Sequence, residues 1–199
     1  MDRYRALALL ILAVFYGIYF TKLLAQRRRG IRTHQIGRRK ERGLHTVETL
    51  LSIATFGIAT FGIVPVQLLA IAFEWSCLPD PVRLVGATVG LAGDGVFLAS
   101  VWCMRDSWRA GIPDGDRTEL VTGGIYAVSR NPAFLGFDLM YLGVLLLFCG
   151  PLTAVFTIFA VVMLHLQILQ EERYLTGVFG APYQRYRRRV GRYLGRWGR

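Results

Sequence analysis

Arg130, Asn131, Gln167 and Glu171 are polar residues placed at the edges of long apolar runs. Arg130 carries a planar fork of donors that suits a carboxylate, and Glu171 offers a carboxylate that suits an ammonium group. Asn131-Pro132 has the form of a helix start, where backbone N–H groups lack intrahelical partners and favour an anionic group. Gln167 and Glu171 are four residues apart and share one helix face. Asp94, Asp138 and His165 fall inside apolar runs, where an ionisable side chain is costly and points first to function. Each residue also has a plainer reading. Arg130 and Trp108 suit interfacial anchors, Glu171 and Glu172 a polar end to a helix, and the three intramembrane groups hydrogen bonding within a bundle.

Familiar soluble chemistries lack their residues here. There is no GxGxxG, phosphate-binding Lys loop, HExxH, nucleophile elbow or His/Cys cluster with metal spacing. Cys77, Cys103 and Cys149 show no CxxC spacing and read as small apolar residues.

The elements that must position these groups are membrane helices. The chain is 53% hydrophobic and 19% charged, with a mean hydropathy of +0.39. Five apolar runs approach the roughly 20 residues a span requires, at about 6–24, 47–73, 84–104, 133–149 and 152–170. Pro65 gives the second run a cause to kink. Cys149-Gly150-Pro151 separates the last two and predicts a tight hairpin. The expected fold is therefore all-α, a multi-pass helical bundle with about five spans and a cap at one membrane face.

The net charge of +11 is concentrated beside spans. Residues 26–45 hold eight Lys or Arg against Glu41, and residues 171–199 hold eight Arg against Glu171 and Glu172. That placement predicts basic cytosolic loops beside anionic membrane lipids and argues against nucleic acid as a partner. The resulting topology in the cell membrane puts the N-terminus outside. Segments 25–46 and 105–130 and the C-terminal tail would be cytosolic. Tyr183, Tyr186, Val190 and Tyr193 recur at three- and four-residue steps, which predicts an amphipathic helix over about 182–196. Residues 1–104 would then supply three spans and a basic loop. Residues 105–199 would supply the site, the hairpin and the C-terminal helix of a single unit.

Two stretches carry a family resemblance. The first is Ser107-Trp108-Arg109-Ala110-Gly111, followed by Thr118-Glu119-Leu120-Val121-Thr122-Gly123-Gly124-Ile125-Tyr126 and Arg130-Asn131-Pro132-Ala133-Phe134. The second is Gln167 to Glu172, followed by Phe179-Gly180 and Tyr183-Gln184-Arg185-Tyr186. Their order resembles the integral membrane methyltransferases of the isoprenylcysteine carboxyl methyltransferase family, over roughly residues 105–193.

The resemblance implies binding of S-adenosyl-L-methionine by Leu120, Val121, Tyr126, Asn131, Pro132, Ala133, Phe134 and Glu171. Gly111, Thr118 and Glu119 fall at further cofactor positions. Arg130, Gln167 and Glu171 form the implied catalytic set, and Gln167, Asp138 and His165 are candidates to meet the acceptor. Tyr126 and Phe134 offer aromatic faces to a sulfonium, Glu171 a partner for the ammonium, and Arg130 one for the carboxylate. Three positions depart from the eukaryotic pattern: Asn131 and, further upstream, Thr118 stand for histidines, and Gln167 stands for a substrate-facing arginine. A neutral amide anchors a prenylcysteine carboxylate poorly, which opens the way to amine or hydroxyl acceptors.

The expected function is thus methyl transfer to a lipidic or prenylated acceptor, by O-methylation of a carboxylate or N-methylation of an amine. A reductase of the sterol type would share an arginine-x-proline turn, but Phe134-Leu135-Gly136-Phe137 lacks the aromatic-glycine-glutamate sequence that follows it there. A non-enzymatic transporter or scaffold is the third class, made less attractive by five short-looped spans without repeat symmetry.

Overall fold

The computed structural model describes residues 2–29, 62–74, 76–105 and 120–195. Six α-helices and one 3-10 turn form the framework of these residues: α1 (Arg3–Arg28), α2 (Val64–Ala72), α3 (Asp80–Met104), the 3-10 turn (Gly124–Ala127), α4 (Pro132–Leu147), α5 (Pro151–Phe179) and α6 (Ala181–Arg189). The all-α expectation holds. Gly111, Thr118, Glu119, Trp108, most of the first basic loop and residues 47–61 lie outside the described residues.

Three helices, α1, α3 and α5, are long and apolar enough to cross a membrane. Their outward faces carry Leu10, Phe20, Leu84, Leu98, Val155, Ile158 and Val162, all exposed. A water-soluble monomer rarely leaves such contiguous apolar faces uncovered, so these faces belong against lipid. The chain is a membrane protein.

Residues 62–63 are π-helical and lead into α2, with Pro65 in its first turn; the rest of the run 47–73, against which the expected kink would be judged, lies outside the described residues. The expected runs and the observed helices differ in two places. Helix α4 has 16 residues, shorter than the run 133–149, because Phe148 leaves helical geometry before the Cys-Gly-Pro turn. Helix α5 runs on to Phe179, well past residue 170, and places Glu171 and Glu172 two turns inside a helix rather than at its end. Gly180, at φ +54, then turns the chain into α6.

Helices α3 and α4 make the most extensive contact in the fold. Glycine makes this possible. A Cβ on Gly143 would lie 2.5 Å from the Cα and N of Gly90, so the two backbones touch. Beside this seam, the Phe15 and Phe97 rings stack at 4.4 Å, and Phe137 meets Phe15 edge-on at 4.6 Å. The core fixes α4 against α3, and thereby fixes where α4 begins.

Candidate active site

The site lies where α4 begins, α5 passes and the C-terminal tail returns. Asn131 precedes α4, and Pro132 occupies its first turn without forfeiting a hydrogen bond. The Ser129 hydroxyl accepts from the Asn131 backbone N–H at 3.1 Å, inside the protein. The Asn131 amide donates to Glu172 Oε1 at 3.3 Å and to the Arg192 carbonyl at 3.1 Å.

Glu172 is the centre of this arrangement. Its side chain is 4% exposed and sits between two guanidiniums, Arg130 Nη2 at 3.2 Å and Arg192 Nη2 at 3.0 Å. Arg192 also donates through Nε to Oε1 at 3.2 Å, completing a fork across both carboxylate oxygens. The hydrogen bond from Arg192 to Glu172 holds the guanidinium pKa above its ordinary value. Arg130 is used only in part: it pairs with Glu172 and lies against the Tyr183 hydroxyl. Its side chain is 7% exposed, yet Nε and Nη1 have no hydrogen-bond partner among the described residues. Buried donors of a charged group left in this state are costly, and a ligand anion is one way to satisfy them.

Glu171 takes no part in that network and has no paired partner among the described residues. It lies near Tyr126, whose hydroxyl is pushed well up, first by burial and then by the charge of Glu171. Tyr126 is 6% exposed. The 3-10 turn that carries it packs on the end of α3, and a Cβ on Gly124 (φ +60) would run into Cys103 Sγ at 2.6 Å. Tyr126 and Glu171 are therefore neighbours, whereas Asn131 bonds to Glu172. Gln167 is partly buried one turn before Glu171. Phe134 and Ala133 instead pack against the main apolar core, so their contribution is to seat α4.

The tail corrects the expected 182–196 helix. Helix α6 stops at Arg189, Val190 is extended, and the chain then turns back through Gly195 at φ +109. The reason is backbone capture: Arg130 N–H donates to Gly191 O at 3.0 Å and Gly195 N–H to Val128 O at 3.1 Å. Tyr183, Tyr186 and Val190 form a small core with Leu120, and the Tyr186 hydroxyl donates to the Tyr126 carbonyl at 2.6 Å. Burial raises both tyrosines, with Tyr183 pushed up to about 12, so they remain neutral donors throughout the physiological range. A groove of about 500 Å³ opens between Leu120, Thr122 and Ala127 on one side and Pro182, Arg185 and Arg189 of α6 on the other.

Tyr193 departs from the α6 stripe and reaches α5. Its hydroxyl meets His165 Nδ1 at 2.7 Å, and the two rings stack at 5.9 Å. Burial and then the charge of Asp138 push the Tyr193 hydroxyl up, so Asp138, His165 and Tyr193 form one polar group. It lies seven residues from both Asn131 and Glu172, about 10 Å along the helices. Asp138 Oδ1 is buried with no partner among the described residues, as are both carboxylate oxygens of Asp94 elsewhere on α3. Sequence reasoning missed Arg192 and undervalued Glu172. Twenty residues and two changes of direction separate that pair, and no helical periodicity signals it.

A family model for phospholipid methyltransferase matches residues 81–182. The chain is 37% identical over 75 residues to protein-S-isoprenylcysteine O-methyltransferase B of Arabidopsis thaliana, covering 36% of this chain and 37% of that protein. It is 40% identical over 73 residues to protein-S-isoprenylcysteine O-methyltransferase of Saccharomyces cerevisiae, covering 36% and 30%. The Schizosaccharomyces pombe protein of the same name is 38% identical over 72 residues, again covering 36% and 30%. The alignments thus span about a third of each relative. The family match takes in just over half of this chain, from the start of α3 to the start of α6, and includes Arg130, Asn131 and Glu172; the chain belongs to the phospholipid methyltransferase family.

Proposed function

We propose that the protein is an S-adenosyl-L-methionine-dependent methyltransferase that methylates a lipidic or prenylated acceptor at the membrane surface. One observation carries this reading: the buried Arg130 guanidinium leaves Nε and Nη1 without hydrogen-bond partners among the described residues, and Glu171, near Tyr126, stays outside the Glu172 network. The pair complements an amino-acid head, with Glu171 toward its ammonium and Arg130 toward its carboxylate. Tyr126, Leu120 and Val121 would flank the remainder, and Asn131 would hold the turn in place. The bound cofactor supplies an electrophilic methyl group on a sulfonium.

The chain's own contribution is placement. A carboxylate acceptor is already a nucleophile and requires no base, so alignment and exclusion of water would supply most of the acceleration. The relatives named as isoprenylcysteine O-methyltransferases support a carboxylate acceptor. Gln167 and Asp138 favour a second acceptor, an amine-bearing lipid. A neutral amide repels no amine, and Asp138 Oδ1, buried with no partner among the described residues, attracts one. In the topology expected from the basic segments, this site faces the cytosol and the acceptor enters from the bilayer.

Calorimetric titration of detergent-purified protein with S-adenosyl-L-methionine tests the cofactor. Saturable binding is expected, lost in Glu171→Ala. The absence of binding to the wild-type protein would refute the reading. Incubation with methyl-labelled cofactor and either S-prenylcysteine or an amine phospholipid then separates the two acceptors.

A further inference from the structure

A second pair of reactive groups lies at the opposite end of the bundle. Cys77 precedes α3 by three residues, and Cys149 sits in the turn between α4 and α5. Although 72 positions apart, they touch: the Cys77 thiol donates to the Cys149 carbonyl at 3.5 Å. Cys77 is exposed, Cys149 is half-buried, and neither is in a disulfide.

The surroundings hold Cys149 still. Arg83 Nε donates to Leu147 O at 3.0 Å, its guanidinium lies over the Phe148 ring, and the Thr153 hydroxyl donates to Phe148 O at 3.1 Å. The Gly150 N–H donates to the same threonine oxygen at 2.8 Å. Cys77 is held by Pro79, extended ahead of α3, and by the ion pair of Arg3 with Asp80 at the helix start. Two thiols fixed in contact by independent anchors lose little further freedom on joining.

Position gives the pair its chemistry. Twenty residues of α5 separate Pro151 from Glu171, a rise of about 30 Å, which is the thickness of the hydrocarbon core. With the methyltransferase site on the cytosolic face, the cysteines face the outside, where disulfides form and persist. Cys103 lies at the site end, against Gly124, and has no such partner.

We propose that Cys77 and Cys149 form a dithiol site, oxidised by an organic disulfide to a cross-link that ties the loop before α3 to the α4–α5 turn. The exposed Cys77 thiolate attacks the oxidant R–S–S–R, forming a mixed disulfide and releasing one thiol. Cys149 then attacks Cys77 Sγ, closing the protein disulfide and releasing the second thiol. Two cysteine protons leave, and one external disulfide is reduced to two thiols. Burial and the neighbouring thiol raise the Cys149 pKa, consistent with Cys77 attacking first.

Incubation of the full-length protein with oxidised glutathione, followed by intact-mass measurement and thiol counting after unfolding, tests the site. The wild type should lose two hydrogens, retain one free thiol of three and carry no glutathione. Cys103→Ser should cross-link equally, whereas Cys77→Ser and Cys149→Ser should not lose the two hydrogens. Three remaining thiols in the wild type, or glutathione adducts without an internal link, would overturn the proposal. In intact cells treated with an impermeant reductant, an impermeant maleimide should label Cys77 but not Cys103; labelling of Cys103 alone would overturn the assignment of side.

Discussion

Replacing Glu172 by glutamine retains the volume and an oxygen for Asn131 but removes the charge between two guanidiniums. Glu172 and Arg130 are 4% and 7% exposed, so this half of the network lies away from water; Arg192 is 32% exposed. Removing one partner of a buried ion pair costs about 3–5 kcal/mol, because the remaining charge is left uncompensated. The more accessible arm contributes roughly 1 kcal/mol or less after screening, so Arg130 dominates the loss. At about 1.4 kcal/mol per tenfold, a loss of 3–5 kcal/mol shifts the unfolding equilibrium by roughly two to three and a half orders of magnitude. The adjacent change, Glu171→Gln, removes no paired charge and should cost far less than Glu172→Gln. Reversible unfolding in mixed micelles measures both, and trypsin susceptibility of the arginine-rich tail reports its release. The double variant Arg130→Met/Glu172→Met should recover much of the loss, since it leaves no buried charge between α4 and α5. Equal stabilities for Glu171→Gln and Glu172→Gln, or a double variant worse than either single one, would refute the assignment of Glu172 as the structural hub.

Other perturbations have equally definite signs. Gly143→Ala forces a Cβ against the Gly90 backbone and should destabilise by more than about 3 kcal/mol, whereas Gly177→Ala, which meets nothing within 4 Å, should gain roughly 0.5–1 kcal/mol; unfolding midpoints decide both. Tyr186→Phe leaves the buried Tyr126 carbonyl without its 2.6 Å donor and should cost about 1–3 kcal/mol, with weaker cofactor binding by titration. Gln167→Arg should lower KM for a prenylcysteine carboxylate and raise it for an amine phospholipid; steady-state kinetics with unchanged KM for both would remove Gln167 from the acceptor site.

Much of this protein follows from local pattern. Apolar runs near 20 residues, bounded by arginine clusters, require membrane helices because an unpaired backbone has no solvent within a bilayer. Asn131-Pro132, Cys149-Gly150-Pro151 and Phe179-Gly180 mark helix boundaries because proline and glycine act on the backbone they occupy. A short hairpin between two antiparallel helices then brings the α4 start and the far half of α5 together, which is why Tyr126 and Glu171 were recoverable as neighbours. The adjacent Glu171 and Glu172 were not distinguishable in the same way. Side chains one position apart on a helix point about 100° from each other, so one faces Arg130 and the other does not, and only the packed positions of α4 and the tail decide which. The tail's turn at Val190, Arg192 on Glu172, Tyr193 on His165 and Cys77 on Cys149 likewise come from tertiary structure alone. Each joins segments whose separation along the chain carries no periodic signal, and each depends on the close α3–α4 seam or on the returning tail.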